Sequence, residues 1–224
     1  MKNVTIIKQS NQVLPSGSRL WSPRELPHLI AWHSLSTLES VTASSTTSRF
    51  IDVSGNGNEL GNSVSAQFPT CKVSSDFGNL KVLDFDGSND LLKKDPPSDS
   101  LDIADGDFFF CAAIAAATDT ANQTIMSLQR ESADELRLFL NAAGQFIFRV
   151  TGSEIAQATG DLEGSVNLVY AERVNGLMRV FVNGTVGSVT DSSSSDITSN
   201  TATVLGCLNT SAGQPYDGQI AEVV

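Results

Sequence analysis

Two stretches restrict the fold of this chain more than anything else in it. The first is VNLVYAERVNGLMRVFVNG, from Val166 to Gly184. Its Asn175-Gly176 pair tolerates two consecutive positive φ angles, as a two-residue type I′ hairpin turn requires. Around that turn Val174 falls opposite Leu177, Glu172 opposite Arg179 and Tyr170 opposite Phe181. On the other face Arg173 meets Met178, Ala171 meets Val180 and Val169 meets Val182. Near the middle of the hairpin this second set is small and aliphatic, which suits a core. The first combines an aromatic pair with an ion pair, which suits a half-wet surface.

The second stretch, LRLFLNAAGQFIFRV (Leu136 to Val150), closes through Ala142, Ala143 and Gly144, with Gly144 at the left-handed position. Leu140 then faces Phe146, Leu138 faces Phe148 and Leu136 faces Val150, which marks the core side. Phe139 and Ile147 share the opposite face, where Arg137 lies directly across from Arg149. Two like charges across a strand pair cost a few tenths to about 1 kcal/mol unless something anionic sits between them. That face is therefore a candidate contact for an acidic group.

Other short runs follow the same pattern: LIAWH, KVLDFD, FFFCAAIAAA, QTIMSLQ, ATVLGCL and QIAEVV, each bounded by turn residues. No stretch sustains a 3.6-residue apolar period. Short alternating strands between turn signals predict an all-β chain, an antiparallel β-sandwich or jelly roll. FFFCAAIAAA is read as a central strand on its Phe cluster, although its alanines favour helix. SLQRESADELR reads as a solvated loop, and DSSSSDITSNTAT as a polar loop leading into a strand. Residues 1–20 read as an extended arm with one strand-like segment, NVTIIK, and residues 21–224 as the sandwich.

The chain has 224 residues and a net charge of -11, which disfavours nucleic-acid binding through phosphate neutralisation. Its N-terminus has no signal-peptide core and no segment is long and apolar enough for a membrane span, so a soluble protein made in the cytoplasm is expected. Three cysteines cannot close a disulfide framework. Cys111 and Cys207 lie in apolar runs, as buried hydrophobes do, and Cys71 at a loop edge. Gly55-Asn56-Gly57 does not read as a phosphate loop, since no helix opener or lysine follows it.

Together WSPRELPHLIAWHS, FIDVSGNGNELG, KVLDFDGSNDLL, RVNGLMRVFVNG and the final GQIAEVV resemble the laminin-G-like, concanavalin A-like jelly-roll domains of secreted bacterial proteins and phage virion proteins. The resemblance implies two stacked antiparallel sheets with loops at the ends. It makes SGNGN and FDG-x-x-D tight connections between strands. Members of that wider fold also bind calcium. Asp86, Asn89 and Asp90, with Asp52 or Asn56, would supply hard oxygens for such an ion.

Some relatives of the fold cleave glycans with an E-x-D-x-x-E strand, which is absent here. Glu131, Asp134 and Glu135 fall in the presumed loop, and His28 and His33 have no triad partners. The expectation is a protein that is not an enzyme, with glycoside hydrolysis disfavoured. The candidate binding residues are Arg137, Phe139, Arg149, Tyr170, Arg179 and Phe181, since rings stack on sugars and arginines fork onto carboxylates. The alternative is that another segment covers this face and neutralises its arginines. The first-ranked function is a virion decoration or tail appendage that grips host glycans, docked on other virion proteins or symmetry mates through its arm. A free lectin is the runner-up.

Overall fold

The computed structural model describes Leu26 and residues 29–94, 106–117, 121–130, 133–150, 153–158, 160–191 and 202–224. Its strands are, in chain order, β1 (Arg49–Phe50), β2 (Leu60–Gly61), β3 (Thr70–Ser74), β4 (Leu80–Asp86) and β5 (Leu92–Lys94). They continue as β6 (Phe108–Ala116), β7 (Gln123–Arg130), β8 (Ala133–Leu140), β9 (Phe146–Val150) and β10 (Ser153–Gln157). The last five are β11 (Val166–Val174), β12 (Leu177–Val182), β13 (Thr185–Asp191), β14 (Ala202–Leu205) and β15 (Asp217–Val223).

The strands form two antiparallel layers, as alternation predicts. Among the described residues, sheet one has eight strands in the order β1-β2-β5-β14-β7-β8-β9-β10, and sheet two has seven in the order β13-β12-β11-β6-β15-β4-β3. The first hairpin has the expected register, with Tyr170 opposite Phe181 and Glu172 opposite Arg179. Asn175 and Gly176 take φ of 51° and 73°. The second is also as expected, with Leu138 opposite Phe148, Arg137 opposite Arg149 and Gly144 at φ 67°. Leu136, Leu138, Leu140, Phe146, Phe148 and Val150 from sheet one pack against Val169, Ala171, Met178 and Val180 from sheet two. A fully buried side chain of this kind contributes about 1.5–3 kcal/mol, so this shared layer dominates the stability of the sandwich.

Some local expectations change. LIAWH is not a strand; His33 alone forms isolated bridges, to Val223 and to Asp52. The backbone of Ala133, Asp134 and Glu135 belongs to β8, paired with β7, and is not a loop. Cys71 lies in β3 and is fully buried, while Cys111 is only half-buried. The arm, His28 and Glu131 lie outside the described residues.

The Gly/Asn-rich stretch at residues 52–58 has a specific task. The Asp52 carboxylate accepts from the backbone N–H of Trp32 (2.9 Å), Ser54 (2.8 Å) and Asn58 (2.9 Å) and from the Ser54 hydroxyl (2.8 Å). Asn56 donates to Leu29 O, and Asn58 to Ile30 O. The turn thereby straps residues 29–33 to the end of β15, where His33 and Val223 exchange two backbone hydrogen bonds. Burial works to raise the Asp52 pKa, but its four donors outweigh that and hold it below the usual carboxylate range.

Candidate binding face

The six candidate residues do not share one surface, because β8–β9 and β11–β12 belong to different sheets. Arg137, Phe139 and Arg149 point out of sheet one; Tyr170, Arg179 and Phe181 point out of sheet two.

On sheet one, the segment between β14 and β15 (residues 206–216) lies across the outer face of β7 and β8. Ser127 Oγ and Gln129 Nε2 each donate to Leu208 O at 2.7 Å. Arg137 and Phe139 are both only 3% exposed. The Arg137 guanidinium donates to Thr124 Oγ1 (3.1 Å) and to Gln214 Oε1, and it sits 3.9 Å over the Phe139 ring. Hydrogen bonds to a charged group contribute about 1.5–3 kcal/mol each, more than the like-charge cost of facing Arg149. Arg149 has Glu154 of β10 in register on its other side. Arg137 is thus met from within the chain, by the covering segment that was the alternative to an open face.

Sheet two presents a different surface. Tyr170 packs against Phe109 (5.9 Å between ring centroids, nearly parallel) and edge-on against Phe181 (5.3 Å). Three rings from β6, β11 and β12 so form a continuous row. The Tyr170 hydroxyl donates to Glu172 Oε2 at 2.7 Å, and Arg179 Nη1 pairs with Glu172 Oε1 at 2.9 Å. Burial, then the bond to Glu172, lifts the Tyr170 hydroxyl above its ordinary range. Phe109, Val166, Leu177, Val186 and Val189 are each more than a third exposed on this face. Phe109 was missed because its strand is apolar on both faces, so alternation alone could not say which Phe points out. Further along, Trp32 Nε1 donates to Glu222.

The calcium candidates form a turn. Asp86 Oδ1 accepts from the backbone N–H of Ser88 (2.8 Å) and Asn89 (3.3 Å), and Asp90 Oδ2 accepts from that of Asp86 (3.1 Å). Asp52 and Asn56 are committed to the strap described above. Among the described residues no group of three His, Cys, Asp or Glu side chains is placed to hold a metal ion. Burial, then the neighbouring charge of Asp86, pushes Asp90 up to about 6. His33 is buried, with Nε2 2.9 Å from Asn58 O, and burial lowers its pKa.

No protein-family model and no curated protein sequence matches the chain. Solved structures do. Trypanosoma rangeli sialidase, captured with 2,3-difluorosialic acid as a covalent intermediate, is similar at TM-score 0.60 and 10% identity, over 86% of this chain and 30% of that one. The leech intramolecular trans-sialidase complexed with 2,7-anhydro-Neu5Ac is similar at TM-score 0.51 and 12% identity, over 63% and 24%. The CBM40 of Ruminococcus gnavus IT-sialidase gives TM-score 0.46 and 17% identity, over 55% and 75%. The first two speak for the fold, and this chain spans less than a third of either. None of these structures is a laminin-G-like or phage protein, so the resemblance to those families rests on the sequence motifs alone. The expectation of a non-enzyme is corrected: this architecture occurs within sialidases caught in the act of catalysis, so a missing E-x-D-x-x-E string does not set catalysis aside.

Proposed function

We propose that the chain is a glycan-binding β-sandwich whose contact surface is the outer face of sheet two. The observation that carries this reading is the row Phe109–Tyr170–Phe181 beside the fixed Glu172–Arg179 pair. Exposed rings on a sheet stack against the C–H faces of sugars, while a positioned carboxylate and guanidinium accept and donate to hydroxyls. Fold kinship with sialidases is an association, and it makes sialylated glycans the first to try.

The test is a glycan-array screen followed by titration of the best ligand. Tyr170→Ala and Phe181→Ala are expected to weaken binding about 10- to 100-fold. Arg137→Ala should lower stability and leave the affinity of the folded fraction unchanged. Wild-type affinity in both aromatic variants overturns this surface. Turnover of the glycan that disappears in Tyr170→Phe would replace binding by catalysis as the role of the face.

We propose further that the module is displayed on a phage particle and docked through residues 1–20. The support is the motif resemblance together with the β-propensity of NVTIIK, which suits addition to a neighbour's sheet edge. Electron microscopy of purified particles should place the chain at ordered, symmetric positions. Its absence from every particle examined, with glycan affinity retained, would favour the free lectin.

A further inference from the structure

We propose that the outer surface of sheet one carries a second site, an anion-binding cleft at its β1–β2–β5 end, suited to the carboxylate or sulfate of an acidic ligand. Strand register places Arg49 opposite Gly61, and Gly61 opposite Lys93, in one cross-strand row. Their neighbours Phe50, Leu60 and Leu92 are core residues, so by alternation this row faces outward. Gly61 adds no side chain to its middle, and the gap belongs to a cavity of ≈ 260 Å³ lined by Arg49, Glu59, Leu60, Gly61, Lys93 and Lys94. That volume sits near the lower end of small-ligand pockets, about 300 Å³, enough for a charged group and part of the ring that bears it.

The charge in the cleft opposes that of the molecule. Among the described residues that line it, Arg49, Lys93 and Lys94 stand beside one carboxylate, Glu59, on a chain of net charge -11. Lys94, next along β5, is anchored by donating to Gly57 O and to Asn58 Oδ1 (3.0 Å), which leaves Arg49 and Lys93 as the cations of the outward row. Arg49 Nη2 lies 3.2 Å from Glu59, but those side chains are 63% and 44% exposed. An exposed pair of this kind contributes at most about 1 kcal/mol, so the guanidinium fork turns readily to a ligand. A carboxylate or sulfate between Arg49 and Lys93 gains charge-assisted bonds from both sides of the Gly61 gap.

The cleft lies on the opposite sheet from the aromatic face and does not depend on it. The full chain is titrated calorimetrically with a glucuronate-terminated disaccharide, its neutral glucose counterpart and sodium sulfate. The acidic sugar is expected to bind at least about tenfold tighter than the neutral one, a difference of about 1.4 kcal/mol. Arg49→Gln and Lys93→Gln should each remove most of that difference, Tyr170→Ala none of it, and added salt should weaken binding. Sulfate binding as well as the acidic sugar supports a cleft that reads charge alone. Weaker sulfate binding supports one that also holds the sugar. Equal affinity for acidic and neutral sugars, wild-type binding in both Gln variants, or no anion binding at about 10 mM overturns the proposal.

Discussion

Gly218→Ala is expected to cost roughly 3–6 kcal/mol, a large part of the 5–15 kcal/mol typical of a whole domain. Gly218 lies in β15 between β4 and β6, opposite Phe85 on one side and Ala116 on the other. Its φ is +144°, where an L side chain is strained, and a Cβ there would overlap Ala115 O and lie 2.9 Å from Ala116 Cα. Both neighbours are backbone, which cannot rotate away as a side-chain tip would. Gly160→Ala is the matched control, at φ +111° with nothing within 4 Å of the added carbon. It should cost only about 1–2 kcal/mol, the left-handed penalty alone. Denaturant midpoints of the two variants check the contrast, and equal shifts would show that the close approach does not matter.

Asp52→Ala should destabilise the protein by about 3–4 kcal/mol, since it strands three backbone donors and a hydroxyl at the base of a buried strap. Asp52→Asn, which keeps one acceptor, should cost less. The effect of pH distinguishes them. Asp52 titrates below its ordinary 3.8 in the folded chain, so its contribution is complete above that value and is lost as pH falls toward the folded pKa. Asp90 runs the other way. Raised to about 6, it takes up a proton in the folded state first, so its contribution grows as pH falls from about 6 toward 3.8. Unfolding of the wild type and Asp52→Asn between pH 6 and 2 should therefore show a constant gap down to about pH 4 and converge at the acid end, as the wild type loses its Asp52 contribution. Parallel curves throughout would mean that Asp52 does not hold the strap.

Both hairpins were legible in the chain, down to the residue pairs. Asn175-Gly176 and Gly144 can close only a few turn geometries, and alternation then decides which side chains oppose one another. β10 and β13 carry no such signal. Ser153–Gln157 and Thr185–Asp191 are polar or Gly-bearing, and each is held at an edge, where Gln157 N donates to Ser188 Oγ at 2.8 Å.

What the sequence determined by itself was local: the two hairpins, their turns and the face on which each of their side chains sits, because a period of two is written into consecutive residues. Only the tertiary structure decided which outward faces meet solvent. Arg137 and Tyr170 look alike in their hairpins, yet residues 206–216 fold over one and leave the other half-exposed. That covering depends on contacts between positions 77 residues apart, Arg137 and Gln214, and no pattern of neighbours along a chain encodes such a distance.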